Sequence, residues 1–121
     1  GMVIRLLLGE DPRTSKPLLG GAGRLRHRQP SWDPGRGTID IYYWQAGSAA
    51  MGAMGDTAWR SKLLEAVLAV QRTDGCARGS WDPQVDAWGA MGGRVYATSF
   101  LALALEEPYR FDLSGMSAAD G

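Results

Sequence analysis

A four-residue segment that occurs twice constrains the fold of this 121-residue chain more than any other feature. Ser31-Trp32-Asp33-Pro34 recurs as Ser80-Trp81-Asp82-Pro83. Each copy is followed by a segment of glycine and arginine and then by a stretch opened by tyrosine. A shared segment that contains tryptophan, with the same order of features after it, indicates an internal repeat. The period of about fifty residues has room for two helices and their connections, so we predict a helix-pair repeat.

Two segments have the periodicity of helices with one polar face. In residues 57–71 the apolar side chains follow helical spacing, and Asp56 stands where an N-cap residue belongs. Residues 15–28 have a similar but weaker pattern, because each of their glycines costs a helix about 1 kcal/mol relative to alanine. We predict an amphipathic helix in each segment. The apolar stripes are Trp59, Leu63, Val67 and Val70 in one and Leu18, Leu19, Ala22 and Leu25 in the other.

Three further segments, residues 2–8, 39–54 and 95–105, are apolar or small on nearly all sides. A helix without a polar face must be covered on most sides, so we predict buried helices there. The order buried, half-exposed, buried, half-exposed, buried is what inner and outer helix layers require. The sequence therefore predicts an all-α fold. Strands over 39–43 and 95–97 are the alternative, but these runs are too long and too rich in alanine.

The second half of the chain resembles a known repeat. Gln71-Arg72-Thr73-Asp74-Gly75, followed by Gly79-Ser80-Trp81, resembles the glutamine–tryptophan repeat of squalene and hopene cyclases and of prenyltransferase β chains. Residues 80–105 are similar to the last repeat of bacterial prenyltransferase and squalene oxidase repeat proteins. Tyr42-Tyr43-Trp44, followed by Gly47, is similar to the inner helix that precedes it.

The resemblance covers roughly residues 31–110 and implies a partial α/α toroid, with repeats at approximately 31–79 and 80–111. In that family an indole stacks over the glutamine amide and the helix end, so that one repeat is tied to the next. The residues implied to hold the repeats together are Gln71, Asp74, Gly75, Gly79, Trp81 and Asp82, together with Trp32 and Asp33.

The sequences that give this family its chemistry are absent from these 121 residues. The cyclases carry an Asp-x-Asp-Asp motif, whereas Asp82 and Asp86 here are separated by a segment that contains Pro83. Cys76 and His27 do not make up the Asp, Cys and His zinc ligands of the prenyltransferases, and no Cys-Gly-Glu-Gln thioester motif follows at Cys76. We therefore expect no catalytic residue, no metal and no cofactor.

Charge and cysteine content exclude further classes. Thirteen basic and thirteen acidic residues leave no net charge, which argues against nucleic-acid binding, since phosphate binding needs a clustered basic excess. One cysteine permits no internal disulfide. Met2–Leu8 is too short to span a bilayer and contains Arg5. Since no signal peptide is visible either, we expect a cytoplasmic protein without a transmembrane segment.

The chain reads as one domain over residues 1–111 with a flexible C-terminal tail over 112–121. The first apolar segment has no N-cap residue before it, so we expect the C-terminal part of a longer chain. A lone arc of helices would leave apolar flanks uncovered, which predicts a homo-oligomer or cover by a missing N-terminal part. The long glycine-rich connection over 72–93 is expected to be fixed by Trp81 and Trp88.

Aromatic residues near the starts of two predicted helices are the candidate ligand-binding residues. Their rings are suited to line an apolar cavity and to stabilise a carbocation, while an arginine at a helix N-terminus is suited to an anion. The alternative is that the rings fill the core and the arginine pairs with a nearby aspartate. The candidates are Asp40, Tyr42, Tyr43, Trp44, Arg94 and Tyr96.

Asp74, Asp82 and Asp86 are open to two interpretations. They suit a paired-carboxylate acid or a cation site, but Asp-Gly and Asp-Pro are also strong turn formers, and the turn role is favoured. We expect a non-catalytic, terpenoid cyclase-like repeat module that binds a protein or an apolar small molecule. The alternative is a fragment of a terpenoid cyclase or prenyltransferase-type enzyme that acts on an isoprenoid.

Overall fold

Five α-helices form the regular structure of residues 1–110, the part of the chain that the computed structural model describes. No strand occurs within that range, so the prediction of an all-α chain is confirmed and the strand alternative is wrong. The predicted tail over 112–121 lies outside the described residues. The helices are α1 (Met2–Leu7), α2 (Lys16–His27), α3 (Ile41–Ala53), α4 (Thr57–Leu68) and α5 (Gly89–Arg110), with a 3₁₀ helix at Pro34–Arg36.

Polar side chains fix the starts of the three central α-helices. The hydroxyl of Ser15 caps α2, and a carboxylate oxygen of Asp40 accepts a hydrogen bond from the Tyr43 amide in α3 at 2.9 Å. Asp56 accepts one from the Trp59 amide in α4 at 3.0 Å and pairs with Arg26 at 2.7 Å. Burial alone would raise the pKa of Asp56, but these hydrogen bonds and the charge of Arg26 outweigh it and lower the pKa.

Helix α3 is the centre of the fold, because it contacts each of the other four α-helices. Helix α2 also contacts α1, and α4 also contacts α5. Gly47 permits the close approach of α4: a Cβ atom there would lie 2.5 Å from the ring of Trp59. The core has two clusters. One includes Trp44, Leu63, Val67, Trp81 and Leu101, and the other includes Ala22, Ala50, Met51 and Trp59.

The prediction that the first apolar segment is a buried helix is wrong. No residue of α1 is buried, and Ile4 and Leu7 are 62% and 65% exposed. Met2 and Val3 face the core, Met2 lying against Gly21 of α2, but the helix has only six residues and its other side meets no neighbour within residues 1–110. The other two segments predicted to be buried are also uncovered on one side, as Tyr42 and Val95 are exposed.

The last helix consists of a short helical segment from Gly89 and a long one after Gly93, and the long segment begins next to the predicted start at residue 95. Gly93 interrupts this helix with φ 65° and ψ −165°, a combination that is essentially confined to glycine. Trp81 fixes the connection: its ring is buried, and its indole N–H donates to the carbonyl of Val67 in α4 at 2.8 Å. The prediction that Trp88 also fixes the connection is wrong, because Trp88 is 55% exposed.

Candidate functional site

Asp86 is the residue at which the start of α3, the connection and α5 meet. Its side chain is buried, and its carboxylate accepts three hydrogen bonds. The donors are the Ile41 amide at 2.8 Å, the Trp88 amide at 3.0 Å and the Tyr96 hydroxyl at 3.0 Å. The Ile41 amide belongs to the first residue of α3, where the helix dipole favours a negative charge. The carboxylate is therefore held by both the dipole and three donors.

Tyr96 joins this cluster as a fixed hydrogen-bond donor. Burial and the hydrogen bond and charge of Asp86 raise the pKa of Tyr96 far above its ordinary value, while a hydrogen bond from the backbone of Tyr42 lowers it in part. The phenol consequently stays protonated at neutral pH, where it can donate to Asp86 but cannot serve as a base. Of the candidate ligand-binding residues, Asp40, Tyr42 and Tyr96 come together here at the N-terminal end of α3.

The other candidates lie elsewhere. Trp44 is 1% exposed and fills the core, with its ring centroid 6.0 Å from that of Trp32. Tyr43 packs edge-on against Trp59 and donates its hydroxyl proton to the Arg28 carbonyl at 3.2 Å. Burial raises the pKa of Tyr43, partly offset by the charge of Arg28. These two rings hold helices together.

Arg94 is engaged by an aspartate. Its guanidinium contacts a carboxylate oxygen of Asp82 at 2.5 Å and donates to the Ser80 hydroxyl at 2.9 Å. Asp82 also faces Arg72, at 3.7 Å. To bind an anion, Arg94 would have to break its ion pair with Asp82. Asp82 makes these ion pairs, whereas the sequence favoured a role in a turn.

The segment that resembles the glutamine–tryptophan repeat forms a closed turn. The Arg72 amide donates to the Ser80 carbonyl at 2.9 Å, and the Gly79 amide donates to the Arg72 carbonyl at 2.7 Å. The side-chain amide of Gln71 donates to the Gly79 carbonyl at 2.9 Å. Gly75 and Gly79 have positive φ angles of 65° and 83°, and the exposed Asp74 pairs with Arg72 at 3.6 Å. The turn brings Trp81 to the end of α4.

The two copies of the repeated segment make different contacts. Trp81 is 3% exposed and bonded to α4, while Trp32 is partly exposed and packs on Trp44. Asp33 accepts a hydrogen bond from the Arg36 amide, so it caps the 3₁₀ helix, and it also pairs with the Arg36 guanidinium at 3.5 Å, whereas Asp82 pairs with Arg72 and Arg94 and caps no helix within residues 1–110. Identical residues therefore have different structural roles in the two halves.

Within residues 1–110, two groups of large apolar side chains are exposed, and each forms a surface. The first, the aromatic surface, consists of Tyr42, Trp88, Met91 and Val95, with side chains between 55% and 84% exposed. Hydrogen bonds link the backbone of three of these residues to Asp86. Its carboxylate accepts from the Trp88 amide, the Trp88 carbonyl accepts from the Met91 amide, and the backbone of Tyr42 bonds to Tyr96, which itself donates to Asp86. The second, the α1 stripe, consists of Ile4, Leu7 and Leu8. Their spacing places them on one side of α1.

A cavity of about 180 Å³ lies at the other end of α3, between the start of α4 and the last turns of α5. Trp59, Leu63, Ala104 and Pro108 give it an apolar wall, and Glu107 lines it. Glu107 is 7% exposed. Burial raises the pKa of Glu107, while the charge of Arg110 lowers it in part. Sequence patterns did not indicate either Asp86 or Glu107 as buried.

Comparison with protein-family models, with curated proteins and with solved structures gave no match. In the described part of the chain, no helix is long and apolar enough to cross a membrane. Residues 1–110 also contain no group of three or more His, Cys, Asp or Glu side chains that could hold a metal ion.

The raised pKa of Glu107 gives a testable dependence of stability on pH. A carboxyl whose pKa is higher in the folded than in the unfolded state stabilises the fold at low pH and loses that effect as the pH rises through the folded value. We therefore expect Glu107→Gln to be more stable than the unaltered protein at pH 7 and to lose this advantage towards pH 4. Urea unfolding at a series of pH values measures the difference. A constant difference across the series would contradict the assignment of a raised pKa to Glu107.

Proposed function

We propose that this chain is a non-catalytic helical repeat module, an arc of the α/α toroid type, that associates with protein through its aromatic surface. We further propose that a second copy of the chain is the partner and contributes its α1 stripe. The observation that carries the proposal is the exposure of four large apolar side chains around Asp86, whose own hydrogen bonds hold the surrounding backbone in place.

The contacts between helices support the arc. Helices α1, α3 and α5 are consistent with one layer, in which α3 contacts both of the others. Helices α2 and α4 are consistent with a second layer, since α2 contacts α1 and α3, and α4 contacts α3 and α5. In such an arc α3 is covered on two sides, while α1 and α5 stand at opposite ends. Repeat proteins need a polar outer face on their terminal repeats to remain soluble. Here α1 and α5, at the two ends of the arc, both expose apolar side chains.

The internal repeat favours a second copy as the partner. Helix α3 follows the first copy of the repeated segment, and α5 follows the second copy. The side of α3 that contacts α5 therefore corresponds, in α5, to a side that has no following helix within residues 1–110. A second molecule that places α1 against the aromatic surface would continue the arc. Trp, Tyr and Met are enriched in protein interfaces, and Trp and Tyr are frequent among the few residues that supply most of the binding energy; all three types occur in the aromatic surface.

The carboxylates support a non-catalytic role. Asp86 is saturated by three donors and Asp82 is paired with two arginines, so neither is poised to protonate a substrate. The apolar cavity of about 180 Å³ is below the 300–1,000 Å³ of pockets that enclose drug-sized ligands, and the larger groove of about 430 Å³ beside Trp32 and Lys62 is lined mainly by polar surface. Both features disfavour a long isoprenoid chain. Turnover of squalene or of a prenyl diphosphate that is lost in Asp82→Asn would replace this proposal with the enzyme alternative.

Analytical ultracentrifugation over a wide range of protein concentration tests the association. We expect the mass to rise with concentration, and we expect Trp88→Ser and Leu7→Ser each to weaken association by at least tenfold, as loss of a central interface residue does. Leu68→Ser is the matched control, since Leu68 is exposed on α4 and belongs to neither surface. A mass of one chain at every concentration would refute self-association.

A mixture of the two variants tests the head-to-tail geometry. Trp88→Ser retains an intact α1 stripe and Leu7→Ser retains an intact aromatic surface, so the mixture should form a one-to-one complex that neither variant forms alone. An interface that uses the same surface on both copies would give no such rescue. Failure of the mixture to associate would therefore contradict the pairing of the two surfaces.

A further inference from the structure

The cavity at the C-terminal end of α3 is shaped by residues that are themselves well fixed. The Trp59 indole donates to the Ser48 hydroxyl at 3.2 Å, and that hydroxyl donates to the Trp44 carbonyl at 2.7 Å. Asp56 is occupied by Arg26 and by the amide of Trp59. The polar groups of this wall thus already have protein partners, and they are not available to a ligand without cost.

Thr57, Arg60 and Glu107 are the remaining polar residues of the lining, and the last two differ in their hydrogen bonds. Arg60 donates to the Leu105 carbonyl at 3.3 Å, and its guanidinium lies over the Tyr109 ring at 5.6 Å. The carboxyl of Glu107 accepts no hydrogen bond within residues 1–110, although the charge of Arg110 favours its ionised form. Within residues 1–110, no fully buried side-chain oxygen lacks a hydrogen-bond partner, so the carboxyl oxygens of Glu107 remain accessible, and Glu107 lines the cavity. A bound donor would give this carboxyl a hydrogen bond that no protein group in the described part of the chain supplies.

The volume of the cavity sets the size of an occupant. An apolar cavity of roughly 150 Å³ takes up benzene, so about 180 Å³ accommodates one six-membered ring with a single substituent. We infer that this cavity binds a small, mainly apolar molecule of about the size of one ring, whose single hydrogen-bond donor is accepted by the carboxyl of Glu107. The aliphatic and indole groups of Trp59, Leu63 and Pro108 would contact the body of the molecule.

Phenol, toluene and benzoate share a ring and differ in the substituent, so they distinguish the apolar contact of the ring from the hydrogen bond to Glu107. We expect phenol to bind about tenfold more tightly than toluene, the effect of one hydrogen bond to a charged acceptor, and benzoate not to bind because its charge opposes that of Glu107. Amide chemical shifts of Thr57, Arg60 and Ala104 report occupancy by NMR. Equal binding of toluene and phenol, binding of benzoate, or no shift with any probe would overturn the inference.

The same series in Glu107→Leu tests the acceptor, with Glu106→Leu as the matched control, since Glu106 is the exposed neighbour on α5. The preference for phenol over toluene should disappear in the first variant and persist in the second. Loss of the preference in both, or in neither, would contradict the role of Glu107. The measurement on the unaltered protein decides the question even if Glu107→Leu does not fold. The result is also independent of self-association, which uses other surfaces.

Discussion

Trp81→Ala is expected to lower the free energy of unfolding by about 3–5 kcal/mol, the loss typical of a large aromatic side chain removed from a core. Trp81 is 3% exposed and also ties the connection to α4 through the Val67 carbonyl. Trp32→Ala is expected to cost clearly less, because the Trp32 ring is partly exposed and makes no hydrogen bond within residues 1–110. Guanidinium unfolding followed by circular dichroism measures both variants.

A more conservative change separates the two contributions of Trp81. Trp81→Phe keeps most of the apolar contact and removes the indole donor, so the Val67 carbonyl retains only the 3.4 Å hydrogen bond from the Val70 amide, at a cost of about 0.5–1.5 kcal/mol. The absence of a cooperative transition in Trp81→Ala would agree with the expected loss. If Trp81→Ala and Trp32→Ala lowered the free energy of unfolding equally, the two copies of the repeated segment would contribute equally to stability, contrary to this prediction.

Asp86→Ala is the second substitution with a large expected effect, a loss of about 3–5 kcal/mol. It removes a buried carboxylate and leaves the donors of Ile41, Trp88 and Tyr96 without an acceptor. Asp40→Ala is the matched control, because Asp40 caps the same helix through one hydrogen bond and is expected to contribute about 1 kcal/mol. Thermal unfolding of the two variants gives the comparison. A similar loss in both would show that Asp86 acts as an ordinary helix cap.

The helices of the first 70 residues were largely predictable from the sequence. Asp56 and the stripe of Trp59, Leu63 and Val67 define the start and the buried side of α4, because capping and helical periodicity are local properties. The prediction for α1 failed for a reason that is not local. An apolar segment is buried only if something covers it, and within residues 1–110 α1 has neighbours on one side.

The roles of the acidic residues were harder to predict. Asp82 and Asp86 both stand in a glycine-rich connection, yet one forms exposed ion pairs and the other accepts three buried hydrogen bonds. Glu106 and Glu107 are adjacent, and only the second faces the cavity. These distinctions depend on which distant partner each side chain meets, and local patterns in the sequence do not encode that. The sequence identified the aromatic candidates Tyr42, Tyr43, Trp44 and Tyr96 by their residue type and their position near helix starts. It did not predict which of them are buried and which are exposed.

The hydrogen bond between Asp86 and the Ile41 amide joins residues 45 positions apart, and this has a consequence for the order of folding. The first turn of α3 receives one of its stabilising contacts from a segment that is synthesised much later. The central helix is therefore incompletely stabilised until the connection after α4 has closed, and such long-range closure slows folding. Helices α2 and α4, with caps supplied by Ser15 and Asp56 next to them in sequence, have no such dependence. We accordingly expect α2 and α4 to acquire helical structure before the start of α3 does.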